Sequence, residues 1–332
     1  MKVSEVGEFG LIKLLADIVY RGKDSRDVLT DTLLIGIGDD AAAWKGDNFI
    51  QLATTDSLIQ NVHFNLDNVS WEEIGYKAIA VNLSDIAAMG GIPHYCLVSL
   101  ALPGETDVDN VKRLYYGMNN LADQFGVIIA GGNVSSASEL MITVTLFGTI
   151  ERSIALTRSA ARSGDTIAIT GYTGLSAAGM KMLKENLCFD SESAVLLRKA
   201  HLKPVPRIQE GQELLRQGVK AAIDISDGLI ADLTHICVAS KVGALINENL
   251  VPIHPVLDKY FPENCFQLAL TGGEDYELLF TAQDAIIERA KQTLSCPIYR
   301  IGEITGEVAG QVIVIDKNGK TLEFEQSGWK HF

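Results

Sequence analysis

The sequence predicts an α/β chain of the α+β type, folded as two mixed αβ domains over residues 1–150 and 151–332. Three observations carry that expectation. The chain has 332 residues, against a soft prior of about 150 residues per domain. Short apolar strand-like runs alternate with helix-like segments in both halves, but neither half reads as a regular parallel βαβ series. A polar, basic stretch at residues 151–164 separates the halves.

In the first half, residues 6–18 carry apolar side chains at helical spacing. Residues 32–38 read as a short strand ending at Asp39-Asp40, and 49–55 as a second strand ending at Asp56. A long helix is predicted over 71–89, with Ile74, Ala78, Val81 and Ile86 inward and Asp85 near its end. Residues 95–102 form a strand stopped by Pro103-Gly104, and 108–125 an amphipathic helix. A buried strand over 126–132 ends at Asn133, and an alternating strand follows over 140–150. The second half opens with a strand at 165–170. Helices follow over 175–184 and 207–217, the latter announced by Pro204 and Pro206. A strand at 221–225, helices at 228–240 and 284–294, and a 311–324 hairpin turning at Asn318-Gly319 complete the set.

Composition narrows the function. Apolar residues make up 47% and charged residues 21%, an ordinary globular mixture that excludes disordered, collagen-like and coiled-coil chains. Lys+Arg is 28 and Asp+Glu is 42, a net charge of −14, so no basic excess is present to neutralise nucleic-acid phosphates. No run approaches the roughly 18 apolar residues of a membrane span. The richest window, 221–239, contains Asp224, Asp227 and Asp232. The MKVSEVGEFG start carries acids where a secretory leader needs basic residues, and the five cysteines are odd in number and form no CxxC pair. A reduced, cytoplasmic location is expected.

Acidic residues recur next to Gly, Ser or Thr at the ends of apolar segments: Gly38-Asp39-Asp40, Thr54-Thr55-Asp56, Ser84-Asp85, Gly131-Gly132-Asn133, Asp224-Ile225-Ser226-Asp227-Gly228 and Gly272-Gly273-Glu274-Asp275. Each alone is also explained as a helix cap or turn. Together they suggest one cleft. Bare carboxylates crowded there would repel one another, and hard cations such as Mg²⁺ relieve that. The absence of His and Cys from these motifs argues against zinc. Mg²⁺ in turn points to phosphate substrates. With no GxxxxGK[ST] loop and no HRD or DFG motif, the chain is neither a P-loop enzyme nor a protein kinase.

These motifs, with GEFGLI at 7–12, VHF at 62–64, KAIAVNLSDIAAMGG at 77–91, LTRSAARSGD at 156–165, HLKPVPRI at 201–208, GGEDYELLF at 272–280 and GWKHF at 328–332, give a near end-to-end resemblance. The chain resembles the thiamine-monophosphate kinase family of the aminoimidazole ribonucleotide synthetase superfamily. The resemblance implies an aminoimidazole ribonucleotide synthetase-like fold, with an N-terminal ATP- and metal-binding domain that dimerises and a C-terminal domain that completes the cleft. It implies ATP-dependent phosphorylation of thiamine monophosphate to thiamine diphosphate, with several Mg²⁺ ions and a homodimer. Carried over by position, Asp40, Thr54, Thr55, Asp56, Asp85, Asn133, Asp224 and Asp227 would hold metal. Tyr115, Gly132, Asn133, Arg158 and Ser226 would contact ATP, and His63, Glu274 and Trp329 the thiamine phosphate. No covalent or general-base residue is implied. Asn133 stands where many relatives carry Asp; its carbonyl can still ligate Mg²⁺ but adds no charge.

Duller roles remain open residue by residue. Asp39 and Asp275 fit turns, His63 a core imidazole, Trp329 a packing residue and Arg158 a solvated cation. Two other functions compete. One is a superfamily cyclo-ligase or selenophosphate synthetase, disfavoured because the first cysteine is Cys96 and no reactive Cys stands near the N-terminus. The other is a non-catalytic nucleotide or Mg²⁺ sensor, disfavoured by the full acidic set.

Overall fold

The computed structural model describes residues 3–20, 32–151, 154–324 and 328–329. Two sheets organise the chain. The first has six strands: β1 (Leu33–Ile35), β2 (Ala42–Lys45), β3 (Ile50–Ile59), β4 (Ile92–Leu102), β5 (Ile128–Ser136) and β6 (Met141–Ile150). Their order is β1-β2-β3-β6-β4-β5, antiparallel except for the β4–β5 pair. The second holds β7 (Thr166–Thr170), β8 (Ala221–Asp224), β9 (Gly243–Asn247), β10 (Leu278–Ala282), β11 (Ile298–Thr305), β12 (Val312–Ile315) and β13 (Thr321–Leu322). Its order is β13-β12-β9-β11-β7-β10-β8, with only β12–β9 parallel. The helices are α1 (Val3–Tyr20), α2 (Trp71–Ala88), α3 (Val108–Gln124), α4 (Leu175–Glu185), α5 (Ser191–Leu202), α6 (Ile208–Gln217), α7 (Leu229–Ser240), α8 (Pro255–Tyr260), α9 (Cys265–Thr271) and α10 (Asp284–Thr293). Among the described residues, no helix is long and apolar enough to cross a membrane.

Helix α2 is the beam between the halves. A capping box starts it: Ser70 accepts from the Glu73 backbone N–H, and the Glu73 carboxylate accepts from Ser70. Ile79, Leu83 and Ile86 are fully buried on it. Its neighbours meet it at glycines. A Cβ on Gly75 would stand 1.9 Å from the Leu114 carbonyl oxygen of α3, and one on Gly211 of α6 would stand 2.0 Å from that of Ala87. The largest apolar core runs from the first sheet through α2 to Leu202, Ile208 and Phe280, so the halves share one interior.

The structure corrects several expected boundaries. Strand β3 continues past Asp56 to Ile59, because residues 50–59 pair residue for residue with β6. Strand β5 is not buried and does not end at Asn133. It runs to Ser136 as the exposed edge of its sheet, since only β4 pairs with it. Strand β1 is only three residues long, and α1 contains a non-helical Gly7. Helices α5, α8 and α9 and strands β2, β9, β10 and β11 were not expected from the sequence. Residues 152–153 of the inter-half stretch and 330–332 of the GWKHF motif lie outside the described residues.

Helix α4 has a cap from far along the chain. Its first residues follow Gly174, whose φ of 85° suits glycine, and no side chain beside it caps the turn. Instead Asp275 accepts from the Gly174 N–H at 2.6 Å and the Ser176 N–H at 3.0 Å. Burial pushes the Asp275 carboxyl up to about 8 despite these bonds.

Two predictions follow from the packing. Gly117→Ala would place a Cβ 2.0 Å from the Glu72 carbonyl oxygen. Forcing α2 and α3 apart is expected to cost about 1–3 kcal/mol, read as a lower Tm. The second concerns Asp275. A folded value above the ordinary one favours the neutral form, so this group's contribution to stability is full in acid and is lost as pH rises through about 8. The stability advantage of wild type over Asp275→Asn should narrow between about pH 5.5 and about pH 8.5 in thermal unfolding. A widening gap would show that the carboxylate, not the acid, is the form the fold prefers.

Candidate active site

Carboxylates from both halves converge at the seam. Asp40 precedes β2, Asp85 lies in the last turn of α2, and Asp224 ends β8. One oxygen of each lies within 4.8 Å of the other two. Neighbouring hydroxyls aim two of them. Thr54 Oγ1 donates to Asp85 Oδ2 at 2.5 Å, and Ser84 Oγ donates to Asp224 Oδ2 at 2.7 Å. The Arg158 guanidinium is hydrogen-bonded to Asp40 Oδ1 through both Nε and Nη2, and its backbone N–H donates to Asp39. Among the described residues, Asp40 Oδ2 is buried with no hydrogen-bond partner.

Burial and mutual repulsion raise the acids together. Burial, then the neighbouring Asp40, pushes Asp224 up to about 7. Burial, followed by Asp56, Asp224 and Asp40, puts Asp85 well above the carboxylate range. Burial raises Asp40 as well, against the pull of Arg158. The donor set is oxygen only, crowded and short of positive charge, with one buried oxygen unfilled. This fits a hard divalent cation.

The loop after β8 is shaped by Asp232, whose Oδ2 accepts from the N–H groups of Ser226, Gly228 and Asp227 at 3.0, 3.0 and 3.1 Å. The backbone of Ser226 and Asp227 is thereby fixed just after Asp224, and the Asp227 carboxylate lies with Asp232 and His235. Two residues expected at the substrate, Glu274 and Trp329, are tied to the same loop. Glu274 N–H donates to Ser226 O at 2.7 Å, Tyr276 N–H to Ile225 O at 2.9 Å and Trp329 N–H to Asp227 O at 2.9 Å. His63 sits in the tight turn after β3, where its Nδ1 accepts from the Ile59 N–H at 3.1 Å.

Glu274 is already engaged. Lys77 Nζ, buried on α2, lies 2.7 Å from Glu274 Oε1, and His201 Nδ1 lies 3.4 Å from Oε2 and 3.1 Å from Ser176 Oγ. Burial works against the Glu274 carboxylate, but Lys77 together with the nearby His201 and His63 outweighs it and holds the group below the usual range. Burial, then Lys77, pushes His201 down to about 3, so its imidazole is neutral. The Tyr276 phenol lies between the two clusters. Burial raises it well above 10, and so do Glu274 on one side and Asp56, Asp224 and Asp85 on the other.

The structure therefore gathers Asp40, Thr54, Asp56, Asp85, Asp224 and Arg158 into one cluster, while the Asp227 carboxylate groups with Asp232 and His235 in the loop that follows. Glu274 and Trp329 are joined to that loop, with His63 near Glu274. It does not gather the rest. Thr55 faces away from Thr54, and its Oγ1 donates to Val144 O. Asn133 shares that open face, in register with Ser99, Thr143 and Ser57 across the sheet. It stands three strands from β3, about 14 Å at the usual spacing. Gly132 beside it admits no side chain, because a Cβ would lie 1.8 Å from Val98 O. Tyr115 is half-buried against the first core near Cys96.

Sequence reasoning missed Lys77, Ser84, His201, Asp232 and Tyr276 as parts of this site. Lys77 and Ser84 carried a usable signal: both are polar residues within the apolar helix that also bears Asp85. His201 and Asp232 gave none, since their partners are brought together only by the tertiary fold.

Comparison with known proteins agrees with this arrangement. Residues 38–150 match the AIR synthase related protein N-terminal domain and 162–315 its C-terminal domain. The chain is 40% identical over 306 residues to thiamine-monophosphate kinase of Bacillus subtilis (strain 168), covering 90% of this chain and 93% of that relative. It is 38% identical over 335 residues to thiamine-monophosphate kinase of Escherichia coli (strain K12), covering 98% of each. A solved structure, AaThiL complexed with AMPPCP and TMP, superposes with a TM-score of 0.84 at 34% identity, over 100% of this chain and 99% of that one. Similar along almost its whole length and carrying both AIR synthase related domains, the chain belongs to the thiamine-monophosphate kinase family.

Proposed function

We propose that this cleft transfers the γ-phosphoryl group of ATP to the phosphate of thiamine monophosphate, giving ADP and thiamine diphosphate. The observation that carries the reading is the Asp40–Asp85–Asp224 cluster, joined through one loop to Glu274 and Trp329. Membership of the family supports it, as does likeness to a structure described with AMPPCP and TMP bound.

Asp40, Asp85 and Asp224, with Thr54, Asp56 and Asp227 around them, would hold Mg²⁺. When bound, the metal would neutralise phosphate charge and polarise the phosphoryl oxygens. The chain's own groups do the positioning. Thr54 and Ser84 fix the carboxylate rotamers. Arg158, anchored by its backbone to Asp39, offers a guanidinium that can exchange Asp40 for a phosphate oxygen. The Trp329 indole, 48% exposed, suits the face of the cationic thiazolium. The acceptor phosphate is already ionised at neutral pH, so transfer needs no base and no phosphoenzyme; alignment and charge stabilisation suffice.

Gly132, Asn133 and Thr55 enter this reading through a homodimer. Their sheet face is open and carries Tyr95 and Leu97 at 53% and 42% exposure. A second copy packed there would bring its Asn133 to the cleft of the first.

Two experiments test the proposal. Wild-type protein should turn over ATP with thiamine monophosphate, lose activity in excess chelator and regain it with Mg²⁺. Asp85→Asn should lose at least about 100-fold in kcat/KM and Asp39→Asn far less; equal activity of Asp85→Asn and wild type would remove the ligand assignment. For the dimer, Asp85→Asn and Asn133→Ala chains are mixed and reassembled. If Asn133 serves the partner's cleft, mixed dimers hold one intact site and activity reappears. No recovery would place Asn133 in its own chain's site.

A further inference from the structure

Each acid of the Asp40–Asp85–Asp224 cluster has one oxygen held by a donor and one left over. The Arg158 guanidinium holds Asp40 Oδ1, Thr54 Oγ1 donates to Asp85 Oδ2 at 2.5 Å, and Ser84 Oγ donates to Asp224 Oδ2 at 2.7 Å. Among the described residues, no hydrogen bond reaches Asp40 Oδ2, Asp85 Oδ1 or Asp224 Oδ1, and the first of these is buried. Arg158 and Thr54 are themselves expected at ATP and at metal. Ser84 is not. It is 0% exposed and Asp224 is 2% exposed, so the hydroxyl meets the carboxylate away from solvent.

A serine inside a helix often turns its hydroxyl back to the carbonyl four residues earlier. Ser84 reaches instead from α2 to the end of β8, across the seam between the halves. Its neighbour Asp85 takes its donor, Thr54, from β3 of the first half. Consecutive residues of one helix thus make one such bond with each half. The consequence lies in how a carboxylate meets a cation. Ca²⁺ takes roughly six to eight oxygens at about 2.3–2.6 Å and accepts both oxygens of one carboxylate. Mg²⁺ holds to an octahedron at about 2.0–2.1 Å and takes a few carboxylate oxygens beside water and phosphate. Turning both Asp224 oxygens onto one cation would break the Ser84 bond and strand a buried hydroxyl, a penalty that contact through the other oxygen alone avoids.

Resting on the metal assignment above, we infer that Ser84 restricts Asp224 to coordination through one oxygen and thereby makes the cluster favour Mg²⁺ over Ca²⁺. Ser84 is a positioning residue for metal choice: closed to solvent, it acts only through the carboxylate it holds. Thr54 on Asp85 and Arg158 on Asp40 impose the same restriction on the other two acids. Of the three donors, Ser84 is the one whose hydroxyl can be removed without removing a group expected to touch metal or phosphate.

The test measures metal binding directly on the full chain, with Mn²⁺ as the electron paramagnetic resonance probe and Mg²⁺ or Ca²⁺ as the displacing ion. In wild type, Mg²⁺ should displace Mn²⁺ at least as well as Ca²⁺ does. Ser84→Ala should weaken Mg²⁺ binding by about 10- to 100-fold, the usual effect of losing a group that orients a metal ligand. Ca²⁺ binding should weaken less, so that the Ca²⁺-to-Mg²⁺ affinity ratio rises at least about fivefold. Ser84→Cys fills the space of the serine with a weak donor and should follow Ser84→Ala. The ratio is taken within one preparation, so partly unfolded protein lowers the signal without shifting the result. If both ions weaken equally, or if Ser84→Cys keeps the wild-type ratio, Ser84 serves packing alone and the inference is wrong. Wild type that binds none of the three ions would sink the metal assignment and this inference together. Wild-type binding with a ratio unmoved by Ser84→Ala sinks this inference alone.

Discussion

The structure depends on three carboxylates being held closer together than their charges allow. Oxygens of Asp40, Asp85 and Asp224 lie within 4.8 Å of one another. At an effective dielectric of about 20, each ionised pair at that distance repels by roughly 3 kcal/mol, so three pairs approach the whole stability of an ordinary domain. Arg158 supplies one positive charge and spends it on Asp40. The remaining acids respond by holding protons, as the raised values of Asp85 and Asp224 show. A cluster of this kind is unfavourable for folding alone. A divalent cation held there, as proposed, would turn the repulsion into affinity.

Such a cluster needs a rigid frame, and α2 supplies it. The helix carries Lys77, Ser84 and Asp85 within three turns, facing the C-terminal half from inside the shared core. Glycines on the helices that cross it bring backbones into contact, so it has little room to shift. The pair of α2 residues that reach α5 and the Gly272–Tyr276 loop lie on one face: Glu73 forms a two-pronged ion pair with Arg198, and Lys77 meets Glu274 one turn later. The same helix therefore joins the two halves and carries Asp85 of the carboxylate cluster.

The sequence made the acidic set legible because each member sits in a short polar motif against an apolar background, and strand and helix periods gave most elements. What it hid was direction. Thr54 and Thr55 are adjacent and chemically alike, yet the strand's two-residue period sends Thr54 to Asp85 and Thr55 to the opposite face. Asn133 looked like the end of a buried strand because Ile128 and Ile129 precede it, but β5 is an edge with a single partner, and burial depends on a neighbour no local pattern encodes. Asp275 looked like a turn residue; it caps a helix that starts about a hundred positions earlier in the chain. Helix α5 escaped notice because its polar residues blur the apolar stripe, and its packing against α4 closes at Gly179, where a Cβ would lie 2.2 Å from Leu197 O.

The loop that carries Glu274 shows how the two halves of the site are coupled. Glu274 and Tyr276 both adopt positive φ, at 66° and 53°. Such conformations cost about 1–3 kcal/mol each and persist only where the surroundings enforce them. Here the enforcement is visible on each side of the strained residues. Asp275 is tied to α4, and Glu277 takes a two-pronged ion pair from Arg207 at 2.7 and 2.5 Å with a further bond from Thr170 at 2.6 Å. The backbone between these anchors is stitched to residues 225 and 226. The Glu274 carboxylate is thus fixed relative to the Asp40–Asp85–Asp224 cluster by bonds independent of any ligand. The geometry between the two parts of the cleft is set within the fold itself, and the strain in two residues is the cost of setting it.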